Sequence, residues 1–292
     1  MKPLCPGDVV RVVSPSGPVP RDKFERGAAR LSRYQLRYDQ RIFEKFGFLA
    51  GSDEARAAEL QAALDDDQTR AIFCARGGYG LFRLLPLLNP KKFLGAPKPI
   101  VGFSDVTALH AWLWKLGVPS VHAPVVTQLG SLPDKDVQSL FDLLEGKSAA
   151  IEGLRPISAG VAEGKLLGGN LELLSRLCGT PWACQFKDAI LLLEDVGERP
   201  YRIDRALTQL ELTGALQGVA GVVLGDFVDC DEPNGKSPTV DDVLHERLSR
   251  LGVPIASGAP IGHGTHNRAV WLGRRARLDT RVGRLELPRE RE

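Results

Sequence analysis

Short runs of consecutive apolar residues alternate along this chain with longer stretches whose apolar positions recur every three or four residues. The first pattern predicts strands and the second amphipathic helices. Residues 9–13, Val-Val-Arg-Val-Val, predict a strand ended by Ser14-Pro15-Ser16-Gly17-Pro18, and a helix is expected over 21–36. A short strand is expected at 41–43, then a helix capped by Ser52-Asp53-Glu54 and running to Leu64. Residues 71–75 predict a compact strand, followed by Arg76-Gly77-Gly78-Tyr79-Gly80 and a helix through Leu88. A further strand runs from Pro99 to end at Ser104, and a helix is predicted over 105–116.

From 117 to 162 the pattern loosens into prolines, glycines and one polar helix over 133–145, as at a domain crossing. Beyond it the alternation resumes, with helices expected over 171–178, 203–212 and 240–251. Strands are expected at 190–193, 219–224, 269–272, 276–279 and 284–287. Strands alternating with helices imply a parallel sheet covered on both faces, so the expected class is α/β. The expected division is an N-terminal α/β domain over 1–120, a linker region over 121–164, and a C-terminal α/β domain over 165–292. No repeat of fixed period is visible.

Composition narrows the function classes. The 292 residues are 43% hydrophobic and 25% charged, the balance of a soluble globular protein. The net charge of +2, from 38 basic and 36 acidic residues, gives no field for nucleic acid, and the arginines at 274, 275 and 277 read as a solvated strand face. Five scattered cysteines with no Cys-x-x-Cys suggest neither a disulfide framework nor a zinc site and fit a reducing compartment. The proline-broken N-terminus is not expected to act as a signal peptide, and the apolar stretch 219–228 contains Asp226 and is too short to span a membrane. A cytoplasmic location, no membrane partner and no metal are therefore expected.

Open α/β sheets bind ligands outside the carboxyl ends of their strands. Three such ends carry chemistry: Ser14-Pro15-Ser16, the glycine loop 76–80, and Gly102-Phe103-Ser104-Asp105. Ser104 stands at a strand-to-helix turn, where a hydroxyl is lifted out of the sheet and can attack a carbonyl if a base is near. Position 106 is Val, so Gly-x-Ser-x-Gly is not met, and a serine before a helix is also an ordinary N-cap. The glycine loop matches neither a Walker A loop nor Gly-x-Gly-x-x-Gly, so no nucleotide cofactor is expected. An oxyanion hole from the amides of Gly78 and Asp105 would suit hydrolysis, though a plain glycine turn reads equally well.

Of five histidines, His263 in Gly262-His263-Gly264 is the most accessible and is the candidate base, with His266 in reserve. His122 could approach the site, while His110 and His245 read as packing or surface residues on helices. Glu194, directly after Leu191-Leu192-Leu193, is the candidate carboxylate to orient the imidazole. Asp195 and Glu198 compete for that role, and a salt bridge from Glu194 to Arg202 or Arg205 is the plainer alternative.

These segments together resemble the LD-carboxypeptidase family, serine peptidases that include murein tetrapeptide carboxypeptidases and microcin-immunity hydrolases. The resemblance is carried by Gly51-Ser52-Asp53-Glu54-Ala55-Arg56-Ala57, residues 75–80, 102–107, Gly168-Gly169-Asn170-Leu171, residues 193–198, Pro200-Tyr201-Arg202-Ile203-Asp204-Arg205 and Gly262-His263-Gly264. It implies a flavodoxin-like N-terminal domain, a smaller C-terminal α/β domain with the site between them, and a homodimer. It implies a triad of Ser104, Glu194 and His263, an oxyanion hole at Gly78 and Asp105, and no cofactor. The implied reaction releases a terminal D-alanine from a murein tetrapeptide, a small peptide substrate, in cell-wall recycling. Arg76 and Arg202 are candidates to hold the substrate carboxylate, because guanidinium forks a carboxylate.

Three rivals stand beside this reading. Within the family, an immunity-type hydrolase would cleave peptidyl- or aminoacyl-nucleotide amides. A different enzyme would use Cys74 as its nucleophile, although its place in a strand favours a buried thiol. A third reading keeps the fold as a binding protein without turnover. The segment 229–238 has the composition of a lid.

Overall fold

The computed structural model describes residues 1–233, 235 and 238–288, so the suggested lid at 229–238 lies partly outside the described residues. The chain divides into two compact units, one of Met1–Lys147 with Arg268–Val270, the other of Ser148–Asn267 with 271–292.

The first unit runs β1 (Val9–Val13), α1 (Arg21–Arg30), β2 (Gln35–Arg37), α2 (Asp53–Asp65), β3 (Ala71–Cys74), α3 (Leu81–Leu84), α4 (Lys91–Gly95), β4 (Ile100–Gly102), α5 (Thr107–Lys115), β5 (Ser120–His122), α6 (Val126–Leu129) and α7 (Asp134–Leu144). The pairs β2–β1, β1–β3, β3–β4 and β4–β5 are all parallel. The resulting order 2-1-3-4-5 is the flavodoxin-like winding, with its crevice at the carboxyl ends of β1 and β3. Strands β3, β4 and β5 are buried throughout, as strands covered on both faces must be. Ser52 caps α2, its Oγ accepting from the Ala55 amide at 3.2 Å, with Asp53 and Glu54 in the first turn.

Four local expectations are corrected. The helix expected over 21–36 stops at Arg30, and Gln35–Arg37 instead pairs in parallel with β1 as an edge strand. The strand expected at 41–43 is a 3-10 turn, Gln40–Phe43, started by the Asp39 side chain accepting from the Arg41 amide. The helix through Leu88 ends at Leu84, because Pro86 turns the chain into a 3-10 segment over Leu85–Leu87. The helix expected from 105 begins at Thr107, after a 3-10 turn at Ser104–Val106.

The second unit comprises β6 (Ala149–Glu152), β7 (Arg155–Ser158), β8 (Val161–Asn170), α8 (Leu171–Arg176), β9 (Ala189–Val196), α9 (Pro200–Leu212), β10 (Gly221–Val228), α10 (Val240–Ser249), β11 (Ile255–Ser257), β13 (Arg275–Asp279) and β14 (Arg284–Leu287). Val270 opens β12 (Val270–Leu272), the sixth strand of the first sheet. The second sheet has eight strands in the order β6-β14-β13-β8-β9-β10-β11-β7. Its centre, β8 to β11, is parallel, while β13, β14, β6 and β7 extend it in antiparallel fashion.

The stretch 117–162, loose in the sequence, is thus regular. Its strands β6 and β7 leave little pattern in the sequence, being short, half-exposed and, in β7, interrupted by Pro156. Strand β9 reads Ala-Ile-Leu-Leu-Leu-Glu-Asp-Val and is buried through Asp195. A run so apolar can lie only at the centre of a covered sheet.

Candidate active site

In the first unit, β4 ends at Gly102, and after an extended Phe103 the chain enters a left-handed conformation at Ser104, φ 63°. For a residue with a Cβ this costs roughly 1–2 kcal/mol, so surrounding contacts must hold it. Ser104 does not cap the helix that follows: α5 is preceded by Val106 at its N-cap, and no side chain caps it. The glycine before the serine is needed, since a Cβ on Gly102 would meet the Val106 methyls at 2.9 and 3.0 Å. Val106 occupies the place of the second motif glycine and packs back on the first.

The glycine loop lies against this turn. A Cβ on Gly77 would come within 3.0 Å of the Ser104 Cβ and 3.1 Å of its Oγ. Gly17 donates to the Gly77 carbonyl at 3.0 Å, and Gly78 takes φ 112° with its Cβ direction only 3.3 Å from the Gly17 Cα. The loop after β1, the glycine loop and the serine turn therefore stack with almost no side chain between them.

Asp105 ties them together. Its buried carboxylate accepts from the Leu81 amide at 3.0 Å, beyond the glycine loop. Burial raises its pKa, opposed by the hydrogen bond from the Leu81 amide and the nearby positive charge of Arg56. Arg56, 2% exposed, donates to the Pro15 carbonyl and to Asp53, and a Cβ on Gly80 would strike its Nη1. Sequence places Ser16 at a strand end that carries chemistry and Arg56 in the segment 51–57, but assigns neither a role. Charged residues on helices are normally solvated, and only burial distinguishes this arginine.

Behind Ser104, the buried His110 ring contacts the Gly102 carbonyl through Nε2 at 2.9 Å, and burial lowers its pKa to about 3. His122 is buried beside it, ring to ring with Phe103, so it packs behind the turn. His245 is exposed on α10. Cys74 is buried at the end of β3, where burial pushes its thiol pKa far up and disfavours the thiolate that nucleophilic attack needs.

In the second unit Glu194 is fully buried on β9, and its Oε2 meets His263 Nδ1 at 2.7 Å. Two glycines make this contact possible. A Cβ on Gly262 would lie 2.7 Å from that same Oε2, and Gly262 has φ 125°; a Cβ on Gly225 would meet the Ile261 carbonyl at 2.3 Å and the Glu194 Cβ at 3.2 Å. The loop is held at several further points. Asn267 Oδ1 accepts from the Gly262 amide at 3.1 Å, Asp226 Oδ2 from the Gly264 amide at 3.2 Å, and the Asp226 amide donates to Ile261 at 2.9 Å. A register shift in β10 between Leu224 and Phe227 contains Asp226, as bulges beside sites often do. Burial raises the pKa of Asp226. Asn267 and Asp226 were not legible in sequence, since neither stands in a motif.

The competing carboxylates have other partners. Asp195 accepts from Asn170 Nδ2 at 2.9 Å, from the Glu172 amide at 2.9 Å and from the Val196 amide at 2.8 Å. Burial raises its pKa to about 6. Glu198, half-buried just before α9, meets Arg202 at 3.3 Å, and Arg202 also donates to the exposed Tyr201 hydroxyl at 3.1 Å. Arg76 is half-buried and donates to the Pro18 carbonyl. Among the described residues no group of three or more His, Cys, Asp or Glu could hold a metal ion.

The LD-carboxypeptidase N-terminal domain matches residues 10–123 and the LD-carboxypeptidase C-terminal domain residues 163–278. A putative carboxypeptidase of Synechocystis sp. is 40% identical over 287 residues, 97% of this chain and 95% of the relative. The chain belongs to the LD-carboxypeptidase family. Within that family it is 31% identical over 285 residues to the murein tetrapeptide carboxypeptidase of Pseudomonas aeruginosa, covering 92% of each chain. The structure of the muramoyltetrapeptide carboxypeptidase from Oxalobacter formigenes superimposes with a TM-score of 0.86 at 28% identity, over 95% of this chain and 98% of that one. MccF in complex with glutamyl sulfamoyl guanosine shares the fold, with a TM-score of 0.90 at 22% identity over 99% and 98% of the two chains.

Proposed function

We propose that this protein is a serine-type LD-carboxypeptidase that releases the terminal D-alanine of a murein tetrapeptide in cell-wall recycling. The observation that carries the reading is the 2.7 Å contact of His263 Nδ1 with the buried Glu194, in a chain that also holds a serine in left-handed conformation at a strand-to-helix turn. Membership of a peptidase family whose relatives include named murein tetrapeptide carboxypeptidases supports it.

In this mechanism His263 Nε2 takes the proton from Ser104 as Oγ attacks the carbonyl of the L,D-amide. Glu194 accepts from Nδ1–H, fixes the tautomer and offsets the charge of the imidazolium. The amides of Gly78 and Asp105 hold the oxyanion, a donor of this kind being worth about 3 kcal/mol. The imidazolium then protonates the leaving D-alanine amine. Water, deprotonated by His263, resolves the acyl-enzyme. Arg76 and Arg202 are the candidates for the substrate carboxylate; Arg76, beside the glycine loop, is the better placed in sequence, as Arg202 is already engaged by Glu198 and Tyr201. A homodimer and a cytoplasmic location belong to the same proposal.

The test is D-alanine release from L-Ala-γ-D-Glu-meso-diaminopimelyl-D-Ala by wild type and by Ser104→Ala. Release by the wild type alone supports the reading, and release that survives in the variant refutes Ser104 as nucleophile. The second reading, an immunity-type hydrolase of aminoacyl-nucleotide amides, draws on the 25% identity over 319 residues to the microcin C7 self-immunity protein MccF of Escherichia coli. Cleavage of an aminoacyl sulfamoyl nucleoside, without D-alanine release from the tetrapeptide, would favour it.

A further inference from the structure

One wall of the glycine loop opens into a cavity of about 320 Å³ within the first unit. Its lining includes Lys23 and Arg26 from α1, Arg76 from the loop after β3, and Thr127, Gln128 and Ser131 in and after α6. Three cations and several hydroxyl or amide groups converge there, and no lining residue is acidic. Arg26 meets Asp22 at 3.2 Å, but both are well exposed, and such a surface pair is worth little.

The walls are rigid. Helices α1 and α6 approach so closely that a Cβ on Gly27 would strike the Val126 carbonyl, and one on Gly130 would lie 2.7 Å from the Arg26 Cβ. The Thr127 amide donates to the Ala75 carbonyl at 3.0 Å, fixing α6 to the residue before Arg76. Arg76 itself donates to the Pro18 carbonyl, which spends one of its five N–H groups and orients the rest of the fork. Arg76 immediately precedes Gly77, against which the Ser104 side chain packs. The cavity thus begins next to the serine turn.

We propose that this cavity is a subsite for a carboxylate of the peptide substrate, with Arg76 as the forked ligand and Lys23 and Arg26 supplying further positive charge. The proposal rests on the LD-carboxypeptidase reading and sharpens it: Arg76 acts with two residues of α1 that no motif picks out. Planar guanidinium suits carboxylate, and Arg76, already held by the Pro18 carbonyl, pays a reduced ordering cost on binding. A murein tetrapeptide offers three such groups, on D-glutamate, on diaminopimelate and at the D-alanine terminus.

The experiment compares Arg76→Gln, Lys23→Gln and Arg26→Gln with wild type on the tetrapeptide and on its three mono-amides. Neutralising Arg76 is expected to raise KM about 10- to 100-fold with kcat nearly unchanged, and each α1 variant to raise it about threefold to tenfold. One mono-amide should cost the wild type as much as Arg76→Gln does, and should cost Arg76→Gln little more; that amide names the carboxylate. Unchanged KM in all three variants, or an amide penalty identical in wild type and variants, would overturn the subsite. Lys23 is exposed, so its variant tests the charge even if Arg76→Gln misfolds. Should wild type release no D-alanine at all, the enzymatic reading fails separately. Glutarate binding measured by calorimetry then decides the cavity: a Kd raised tenfold in Arg76→Gln sustains it, and no binding or an unchanged Kd removes it.

Discussion

Replacing Glu194 by Gln tests the heart of the proposed mechanism with the least steric change. Glu194 is fully buried, its Oε2 sits 2.7 Å from His263 Nδ1, and glycines at 225 and 262 crowd its side chain so that it has little room to move. Opposite unit charges whose centres lie about 4 Å apart attract by about 4 kcal/mol at an effective dielectric of about 20. That attraction exists only while the imidazole carries the serine proton, so it lowers the barrier and leaves substrate binding alone. The amide keeps the shape, loses the charge, and can present an N–H to Nδ1 in place of an acceptor. Some of the 4 kcal/mol is offset by the lower cost of burying a neutral group. A fall in kcat of about 10²- to 10³-fold, with KM nearly constant, is therefore expected for D-alanine release followed by a coupled D-amino-acid oxidase assay. Thermal unfolding must show an intact fold. A loss of less than tenfold in a folded variant would refute Glu194 as the orienting carboxylate.

Gly262→Ala should be among the most damaging small substitutions, because its Cβ would lie 2.7 Å from Glu194 Oε2 at a backbone φ of 125°. A stability loss of about 2–4 kcal/mol together with a large loss of kcat is expected, and denaturant unfolding with wild-type stability would contradict the geometry. Asp195 holds its proton up to about pH 6 when folded, against an ordinary value of 3.8, so between those values the folded protein keeps a proton the unfolded chain has released. Stability from this group thus falls as pH rises from about 4 to 6 and levels off above, by about 3 kcal/mol in all. Asp195→Asn should flatten that part of the stability profile, and parallel profiles for wild type and variant would refute the raised pKa. Cys74→Ala should retain full chemistry with some loss of stability from the buried site, and an inactive but folded variant would revive the thiol nucleophile.

Much of the scaffold is legible in the sequence, because it rests on interactions that are local in the chain. The Ser52 cap and its acidic first turn mark α2, and the uninterrupted apolar run before Glu194 marks a central strand. The motifs around Ser104, Glu194 and His263 pointed to the residues that were then found at a strained turn and in a buried carboxylate–imidazole pair. Three matters were decided only by tertiary structure. Pattern extended α1 to residue 36, but parallel pairing with β1 claims Gln35–Arg37, since a ladder of backbone hydrogen bonds outweighs a weak helical preference. Strand alternation turns the adjacent Glu194 and Asp195 side chains to opposite faces, sending Asp195 to Asn170 and α8 and Glu194 to His263, while Glu198, beyond the strand, pairs with Arg202. The roles of Arg56, Asp226 and Asn267 are invisible in one dimension: Arg56 and Asp226 act on loops distant in the chain, and Asn267 reaches the Gly262 amide only through the fold of its own loop. Sequence determines what each segment can be; packing decides which partner satisfies each buried polar group, because an unpaired one costs more than any local preference supplies.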